Sequence, residues 1–362
     1  MNKKILVTRP YLPDINLYIE YLRGIWDRNQ LTNNGPLVLE LEEKLKSYLN
    51  VKHLFFVSNG TIALQIAIKA LELNGEIITT PFSYVATTSS IVWEGCTPVF
   101  ADIDINTCNI SPQKVIEKIT PRTSAVLATH VYGNPCQVDE LNEISKKYNL
   151  KVIYDAAHAF GTKYKQKSVL EYGDISTLSF HSTKLFHTIE GGAIITNDDE
   201  IAHRISFMRS FGHNGPDKYW GIGINGKNSE LHATMGLCLL PQVDALIAER
   251  KCLHILYDTL INFKSIGIER PKKSDEVTSN YSYYPVIMPD EDSLLKVVEY
   301  LNSRNIFPRR YFNPSLNTLQ YVEFQPAKIS ESISKRALCL PIYNGLEKST
   351  IEYIAHLINT LF

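Results

Sequence analysis

The sequence predicts an α/β protein whose large domain contains a mostly parallel β-sheet, followed by a small α+β domain. From about Lys52 to Asn197, short runs rich in β-branched residues alternate with longer amphipathic segments. Most of the short runs are continuously apolar, as expected for strands that are buried on both faces. The chain has 362 residues, which exceeds the usual size of a single hydrophobic core. We therefore predict a large domain with an N-terminal extension over residues 1–245 and a small domain over residues 246–362.

The strands of the predicted sheet are short apolar runs, most of them separated by segments with helical character. The runs are EIITT (76–80), TPVFADI (97–103), SAVLATH (124–130), KVIYD (151–155), ISTLSF (175–180) and AIITN (193–197). Helices are predicted near residues 61–73, 83–94, 111–119 and 138–148. In open α/β sheets, ligands bind beyond the carboxyl ends of the strands. We therefore expect functional side chains directly after these runs.

The two ends of the chain contain fewer predicted elements. Near the N terminus, an amphipathic pattern predicts a helix over residues 38–49, after the turn-rich segment TNNGP at 32–36. After Ala245 the sequence predicts a helix, then Tyr-rich strands in NYSYYPVIM (280–288), then helices near residues 292–304 and 349–361. This mixture predicts the small α+β domain.

Composition and charge disfavour several classes of protein. The 37 basic and 38 acidic residues leave a formal net charge of -1, which disfavours a surface that binds nucleic acid. The six cysteines form no CxxC pair and lie near no histidine at metal-binding spacing, so we expect neither a metal site nor a disulfide framework. No run approaches the roughly 20 apolar residues of a membrane span, and the first apolar run, ILV, is too short for a signal peptide. We expect a cytoplasmic protein without a membrane partner.

The first candidate site is the tetrapeptide SNGT at residues 58–61, which follows the apolar run LFFV and precedes a helix-like segment. Its backbone amides are expected at a helix N terminus, where unpaired amides and the helix dipole favour a phosphate group. The same residues would also serve as an ordinary helix cap with a turn glycine. The tetrapeptide alone leaves both interpretations open.

Asp155 ends the predicted strand KVIYD and is followed by AAHAFG. A carboxylate at this position is able to pair with the protonated nitrogen of a pyridine ring and keep the ring electron-withdrawing. It would equally well cap the following turn. His158, three residues later, could lie beside a cofactor or be a packing residue.

Lys184 lies in SFHSTKLFHTIEGGAIITN, between two predicted strands. A buried ammonium without a partner is costly, so a purely structural role is hard to justify there. Burial lowers the pKa of a lysine, and the neutral amine that results is able to condense with a carbonyl group. For this segment alone a surface lysine remains the alternative. Gly191 and Gly192 permit a close backbone approach or form a plain turn.

The order of these features, a phosphate turn, an acid at a strand end and a lysine after a further strand, resembles that of fold-type I pyridoxal-phosphate enzymes. More specifically, the chain resembles the DegT/DnrJ/EryC1/StrS sugar aminotransferases. The matching segments, in the family's order, are RPYLPD, LTNNGP, SNGTIAL, TTPFSYVATTSSIVWEGCTPVFADID, THVYGNP, YDAAHAFG, SFHSTKLFHTIEGGA, RRYFNPSLN and LCLPIYNGL. They cover nearly the whole chain. The SFHxTKxFxxxEGG motif looks most like that of nucleotide-sugar C4 aminotransferases.

The resemblance implies pyridoxal 5'-phosphate, or its pyridoxamine form, as the cofactor (PLP/PMP). Lys184 would be the Schiff-base lysine and the proton shuttle, and Asp155 would pair with the pyridine nitrogen, with His158 nearby. Lys184 and Asp155 are therefore the catalytic candidates. The other cofactor-binding candidates are Tyr84, whose ring would stack on the cofactor, the phosphate-binding Gly60, Thr61 and Ser179, and Asn225. On sequence alone, Tyr84 could equally be a core residue.

The resemblance also implies a homodimer. Asn225, in GIGINGKNSELHA, matches an asparagine that reaches the cofactor phosphate from the neighbouring subunit. Family members usually have an aromatic residue and an arginine after it, where this chain has Gly226 and Lys227. Asn225 could instead fill a turn between glycines.

The candidates for binding the nucleotide-sugar lie near the two ends of the chain. They are Thr32, Asn33, Gly35, Arg309 and Tyr311. Arginine suits a diphosphate because its planar fork forms paired hydrogen bonds. Arg309 and its neighbour Arg310 could also be a solvated pair on the surface.

The implied reaction moves an amino group from L-glutamate to a 4-keto-6-deoxy nucleotide sugar. The expected acceptor is dTDP-4-keto-6-deoxyglucose, and the product would be dTDP-4-amino-4,6-dideoxyglucose. The alternatives are a C3 aminotransferase, a PLP-dependent dehydratase, which carries histidine where this chain has Lys184, and a non-catalytic sugar-nucleotide binding protein. A NAD-binding Rossmann protein is disfavoured because no GxGxxG opens the first strand-to-helix turn. The carbon that is aminated, the sugar stereochemistry and the nucleotide stay open.

Overall fold

The computed structural model describes residues 4–362. The strands are β1 (Ile5–Leu6), β2 (His53–Val57), β3 (Glu76–Thr79), β4 (Thr97–Phe100), β5 (Thr123–Thr129), β6 (Lys151–Asp155), β7 (Lys163–Tyr164), β8 (Lys167–Ser168), β9 (Ile175–Ser179), β10 (Gly192–Thr196), β11 (Val277–Thr278), β12 (Tyr284–Ile287), β13 (Ile306–Phe307) and β14 (Ala337–Leu340). The helices are α1 (Ile15–Arg28), α2 (Pro36–Leu49), α3 (Gly60–Ala70), α4 (Val85–Trp93), α5 (Pro112–Ile116), α6 (Val138–Tyr148), α7 (Asp199–Met208), α8 (Glu230–Leu239), α9 (Val243–Leu260), α10 (Phe263–Ile266), α11 (Glu291–Asn302), α12 (Lys328–Arg336) and α13 (Lys348–Leu361).

The central sheet has seven strands in the order β2-β10-β9-β6-β5-β3-β4. Neighbouring strands from β9 to β4 pair in parallel, whereas β10 is antiparallel to both β2 and β9. All strands except β10 therefore run in one direction, and their carboxyl ends meet at one edge. The prediction of a mostly parallel α/β sheet is confirmed.

Helices cover both faces of this sheet because the strand side chains alternate between two apolar clusters. On one face, Ile77, Leu127 and Ile153 pack with residues of α3 and α7. On the other face, Ile78 and Val126 pack with residues of α5 and α6. Each strand is thus buried on both sides, which explains why the predicted strands appear in the sequence as continuous apolar runs.

Each of the predicted sheet strands is present, although several end earlier than predicted. In the runs ending at Ile103, His130 and Phe180, the last residues have left the strand ladder. They form the loops at the carboxyl edge, where a strand ladder would have blocked the approach of a ligand. The apolar pattern continues into these loops because their side chains are buried there.

Helices α1, α7, α8, α10 and α12 were not predicted from the sequence. Helix α8 is the clearest case: it is buried at Glu230 and throughout Ala233–Leu239, so no polar face alternates with its apolar one. It packs between α1 and α2. A helix that is apolar on all sides gives no signal at a period of 3.6 residues, so amphipathicity could not reveal it.

A third apolar cluster lies in the C-terminal part of the chain. It joins α9, α11 and α13 to the antiparallel pair of β12 and β14, and it includes Ile5 of β1. Strand β1 also pairs in parallel with β13. The division between residues 245 and 246 stays a prediction; that point lies inside α9.

The stretch Glu230–Leu260, which contains α8 and α9, is long and apolar enough to cross a membrane by length and composition alone. More than half of its most apolar window is buried inside the protein. Core helices of water-soluble proteins meet the same criterion, so the stretch is weak evidence for a membrane span.

Candidate active site

A cavity of about 410 Å³ opens at the carboxyl edge of the sheet. Loops that follow β2, β3, β5, β6 and β9 line it from one side, and segments around Tyr283 and Arg309 line it from the other. The structure brings most of the sequence-predicted site residues together here. Those that line the cavity are Gly60, Thr61, Tyr84, Asp155, His158, Ser179, Lys184, Arg309 and Tyr311.

The turn between β2 and α3 is both a helix cap and a candidate phosphate site, the two roles that the sequence left open. Asn59 caps α3, because its Oδ1 accepts a hydrogen bond from the backbone N–H of Ile62 at 2.9 Å. The first amides of α3, beginning at Gly60, have no acceptor within the helix and face the cavity with the positive end of the helix dipole. A Cβ on Gly192 would lie 2.6 Å from the carbonyl of Asn59, so glycine is needed for this turn to pack against β10.

Asp155 lies at the end of β6 with 6% of its surface exposed. Its Oδ2 accepts a hydrogen bond from Thr87 Oγ1 at 2.7 Å, and its Oδ1 accepts one from the backbone N–H of Ala157 at 3.1 Å. Burial raises the pKa of this carboxyl group, whereas the two hydrogen bonds and the charge of Lys184 act to lower it. Asp155 therefore caps the following turn and also faces the cavity.

Thr87 is itself held by a chain of hydroxyl groups. Ser83 Oγ lies 2.8 Å from Thr87 Oγ1 and 3.0 Å from Thr129 Oγ1. All of these groups are buried. The carboxylate of Asp155 thus has a fixed position, because its hydrogen-bond donor is oriented by Ser83 of the loop before α4, which in turn contacts Thr129 at the end of β5.

Lys184 lies in the connection from β9 to β10, and its Nζ is 3.4 Å from the hydroxyl of Tyr283. Burial lowers the pKa of this amine, against the opposing effects of Asp155, Tyr311 and Tyr84. Among residues 4–362 no carboxylate forms an ion pair with Nζ. The lowered pKa favours the neutral form of this amine, which is the form that attacks a carbonyl carbon.

The ring of His158 forms one wall of the cavity. It lies 4.4 Å from the ring of Tyr283 and stacks on Phe312 at 5.6 Å, and its Nδ1 accepts a hydrogen bond from the backbone N–H of Tyr132 at 3.3 Å. Burial, and then the charge of Lys184, hold its pKa well below the usual value. His158 is therefore a neutral, flat surface beside the reactive amine.

Tyr84 begins α4 and is 58% exposed, so it is a cavity residue and not a core residue. Ser179, at the end of β9, lies against Gly60: a Cβ on Gly60 would be 3.0 Å from the Cβ of Ser179. This contact brings the Ser179 side chain to the same turn as the first amides of α3. The Ser179 hydroxyl and these amides would together hold the expected phosphate group.

The remaining predicted residues do not line the cavity of the single chain. Asn225 is exposed, and its Oδ1 accepts a hydrogen bond from Lys227 Nζ at 2.8 Å. Thr32 and Asn33 form an exposed turn, and Gly35 is the N-cap of α2. A Cβ on Gly35 would lie 2.6 Å from the carboxylate of Glu230, which accepts hydrogen bonds from the amides at the start of α2.

Sequence reasoning missed several residues of the site. Thr87 lies in the matching segment TTPFSYVATTSSIVWEGCTPVFADID but was not singled out there, and Tyr283 gave no sequence signal, because its role depends on a contact with a distant loop. His181 and Glu190 also line the cavity, with His181 Nε2 3.6 Å from a carboxylate oxygen of Glu190. Both belong to the SFHSTKLFHTIEGG segment, so the motif that identified Lys184 could have identified them.

The donor set of the cavity fits pyridoxal phosphate. A partly buried amine with a lowered pKa, a fixed carboxylate and a helix N terminus with a glycine cradle line one space. These are the groups that would hold an aldehyde, a pyridine nitrogen and a phosphate, respectively.

Comparisons with known proteins agree with this chemistry. The family model of the DegT/DnrJ/EryC1/StrS aminotransferases matches residues 14–359. The chain is 43% identical to a dTDP-4-amino-4,6-dideoxy-D-glucose transaminase of Shigella dysenteriae, with 100% of both chains covered. It is 39% identical to a protein of the same name from Escherichia coli, covering 99% of this chain and 98% of that one. Among solved structures, it is similar to DesI in the presence of its TDP-sugar product, with 33% identity, a TM-score of 0.94, and 99% of this chain and 93% of that chain covered.

Proposed function

The chain belongs to the DegT/DnrJ/EryC1/StrS aminotransferase family, and from this premise we propose that it transfers the amino group of L-glutamate to C4 of a 4-keto-6-deoxy nucleotide sugar. The proposed acceptor is dTDP-4-keto-6-deoxyglucose, and the product is dTDP-4-amino-4,6-dideoxyglucose. The observation that carries the chemistry is the single cavity shared by the amine of Lys184, the carboxylate of Asp155 and the N terminus of α3. The full-length similarity to two transaminases of that name supports the choice of sugar.

Pyridoxal phosphate, when bound, supplies an electron sink that stabilises negative charge at the carbon that loses or gains a proton. The Nζ of Lys184 holds the cofactor and then carries protons between carbon atoms, because its lowered pKa lets it accept a proton and give it up again. Asp155, fixed by Thr87, would pair with the pyridine nitrogen of the bound cofactor, and its negative charge would favour the protonated ring. His158, which stays neutral, excludes water from this side without adding a competing charge.

The phosphate and the ring would be bound by residues of the sheet edge. The amides of Gly60 and Thr61 and the hydroxyl of Ser179 would bind the phosphate, since they surround the positive end of α3. Tyr84, which is exposed to the cavity, would cover one face of the pyridine ring.

We propose that the active protein is a homodimer in which Asn225 of one subunit completes the cofactor site of the other. The segment before Asn225 supports this proposal, because it exposes a group of apolar side chains. They are Phe211, Tyr219, Trp220, Ile222 and Ile224. Several large exposed apolar side chains in one segment are typical of an interaction site, and a second copy would cover them.

Thr32, Asn33 and Gly35 are proposed to border the nucleotide-sugar in the assembled dimer, and Arg309 and Tyr311 to border the substrate from within the cavity. The positive φ of Asn33, 64°, gives the exposed turn before α2 a fixed shape. We also propose a cytoplasmic location, which suits the free cysteines of the described chain.

The three alternative functions differ from the proposed one in the residues that they need or in the product that they form. A sugar dehydratase of this fold would carry histidine in place of Lys184, so the lysine favours amine transfer. A non-catalytic binding protein would not need the amine of Lys184 and the carboxylate of Asp155 in one cavity. A C3 aminotransferase shares these residues, and only the product distinguishes it.

The test uses purified protein loaded with pyridoxal phosphate. We expect L-glutamate alone to change the visible absorption of the cofactor and to release one 2-oxoglutarate per site. Adding dTDP-4-keto-6-deoxyglucose should then restore the first spectrum and yield a dTDP-sugar that carries one amino group. Mass spectrometry and NMR identify the position of the amine, with uridine and guanosine keto-sugars as the comparison panel. Absence of a glutamate-dependent spectral change would refute amine transfer, and an amine at C3 would refute the proposed position.

A further inference from the structure

The segment from Asn225 to Asn228 has two sides, because its residues alternate between solvent and the protein interior. Asn225 is exposed and Lys227 is partly exposed, and Lys227 Nζ donates to Asn225 Oδ1 at 2.8 Å, so both side chains lie on one side. Gly226 is buried, and Asn228 has only 7% of its surface exposed. This alternation is that of an extended chain. The outer side carries Asn225, and the inner side packs against the phosphate turn, residues 58–61.

The carboxamide of Asn228 joins the two chain segments that bear the cofactor-binding groups. Its Nδ2 donates to the backbone carbonyl of Val57 at 3.2 Å and to that of Glu190 at 3.1 Å, and its Oδ1 accepts a hydrogen bond from the N–H of Ser229 at 2.8 Å. Val57 is the last residue of β2, directly before the phosphate turn, and Glu190 lies in the connection from Lys184 to β10. One side chain, with both of its N–H donors used, therefore fixes the phosphate turn relative to this connection.

The backbone of the same segment holds the next residue of the turn. The carbonyl of Gly226 accepts a hydrogen bond from the N–H of Ser58 at 2.8 Å, and the N–H of Gly226 donates to the carbonyl of Arg209 at 2.9 Å. A Cβ on Gly226 would lie 3.0 Å from Ile66 Cδ1 and 3.2 Å from Ile62 Cγ2, so the segment packs closely on α3. A shift of the segment would therefore also shift the phosphate turn.

On the basis of the proposed cofactor and the proposed dimer, we propose that Asn228 is a positioning residue for two active sites at once. In its own subunit it holds the phosphate turn against the connection that bears Lys184. It acts on the site of the other subunit through Asn225, because it fixes the inner side of the segment whose outer side presents Asn225. Asn228 does not line the cavity, so it acts on the cofactor through these neighbours.

The test measures cofactor binding in mixed dimers, in which one subunit cannot bind the cofactor covalently. Two chains with different affinity tags are co-expressed, and dimers that carry both tags are purified. One chain carries K184A, so borohydride reduction attaches pyridoxal phosphate covalently only to the other chain, the reporter. Mass spectrometry of the reporter at increasing cofactor concentrations gives its dissociation constant. N228A is placed either in the reporter, to test the effect within one subunit, or in the K184A chain, to test the effect on the neighbouring site.

N228A removes the two hydrogen bonds that reach Val57 and Glu190. In the reporter it should raise the dissociation constant by about 10- to 100-fold. In the K184A chain it should raise the reporter's dissociation constant by about 3- to 10-fold, because only the position of Asn225 changes for the reporter. N228D keeps the size of the side chain without its donors, so it should weaken binding at least as much as N228A.

N344A is the matched control for the loss of a buried amide. The Nδ2 of Asn344 donates to the carbonyl of Leu246 at 2.9 Å and to Glu249 Oε2 at 2.8 Å, and none of these residues lines the cavity. N344A should lower the melting temperature and leave the cofactor dissociation constant unchanged. Thermal melts of all variants check that they fold.

A measurement on the wild type covers the case in which neither N228A nor N228D folds. Loading the wild-type dimer with pyridoxal phosphate should slow amide hydrogen exchange in residues 56–59 and in residues 224–229 together, because the two segments pack as one unit. Slower exchange in residues 56–59 alone would overturn the proposal.

Wild-type affinity with N228A or N228D in the reporter would also overturn it, as would an effect of N344A as large as that of N228A. N225A in the K184A chain separates this role of Asn228 from the proposed function. If N225A weakens binding by the reporter and N228A in the same position does not, the effect on the neighbouring site is refuted while the proposed dimer stands. If N225A has no effect, or if the wild type is not labelled at Lys184, the proposed dimer or cofactor site fails, and the role of Asn228 at two sites fails with it.

Discussion

The two sides of the cavity are constructed differently. The sheet side consists of residues at or shortly after the ends of strands, such as Asp155, Ser179 and Lys184, and hydrogen bonds such as that from Thr87 to Asp155 fix it. The C-terminal side consists of Tyr283, Arg309 and Tyr311, and one 3.4 Å contact from Tyr283 joins it to Lys184. This difference suggests a division of labour. The sheet side would carry the chemistry, and the C-terminal side would orient the amine and select what enters.

The largest expected effect is on the sheet side, at Lys184. K184A removes the amine that holds the cofactor and moves protons, so kcat should fall by at least about 10³-fold. The borohydride-trappable visible chromophore should disappear as well. K184R is the matched control, because it keeps a positive charge and a long side chain but lacks a condensing amine, and it should be equally inactive. Activity in K184A or K184R would contradict the assignment of the chemistry to the sheet side.

A smaller but still large effect is expected at Asp155. D155N keeps the size of the side chain and the contact with Ala157, but it removes the negative charge opposite the cofactor. We expect kcat to fall by about 10²-fold, as for other fixed electrostatic groups in active sites. Steady-state kinetics at saturating donor and acceptor measure this. A fall in KM alone, with kcat preserved, would contradict the assigned role.

Thr87 tests whether the hydroxyl chain tunes Asp155. T87V removes a hydrogen bond that lowers the carboxyl pKa, so this pKa should rise further above its usual value. As the pH falls, the carboxylate of Asp155 would then become protonated at a higher pH than in the wild type. The acid limb of the kcat/KM profile should therefore move up by about one pH unit, which corresponds to about 1.4 kcal/mol.

T88V is the matched control for T87V. Thr88 is the next residue of α4 and is also buried, but its hydroxyl has no hydrogen-bond partner among residues 4–362. Its replacement should leave the pH profile unchanged and should not lower the melting temperature, because the hydroxyl loses no interaction. An equal shift in both variants would mean that the profile reports packing and not the Asp155 contact.

The smallest expected effect is at Tyr283, where the C-terminal side touches the chemistry. Y283F removes only the hydroxyl near Lys184 Nζ, which corresponds to a two- to tenfold loss of kcat, or about 0.5–1.5 kcal/mol. Y281F, in the same run but next to His254, should have no effect. A loss in Y283F as large as in D155N would show that both sides share the chemistry.

The sheet side was accessible to sequence reasoning because strand order and direction determine which loops meet. Asp155 and Lys184 each follow a recognisable apolar run, so knowing the runs was enough to expect them near one edge. Tyr283 could not be found in this way, since its place depends on how the C-terminal region packs against the sheet. Asn225 and Thr32 would require a second subunit to reach the cavity, and no pattern within one chain reports that geometry.

The pairing of β1 with β13 has a consequence for how the protein is made. During synthesis, Ile5 and Leu6 leave the ribosome long before their partners Ile306 and Phe307 exist. The C-terminal cluster, which includes Ile5, therefore cannot be completed while the polypeptide is still growing. A fragment starting at residue 246 would lack this edge strand. Such a fragment should refold only when a peptide containing Ile5 and Leu6 is supplied in trans.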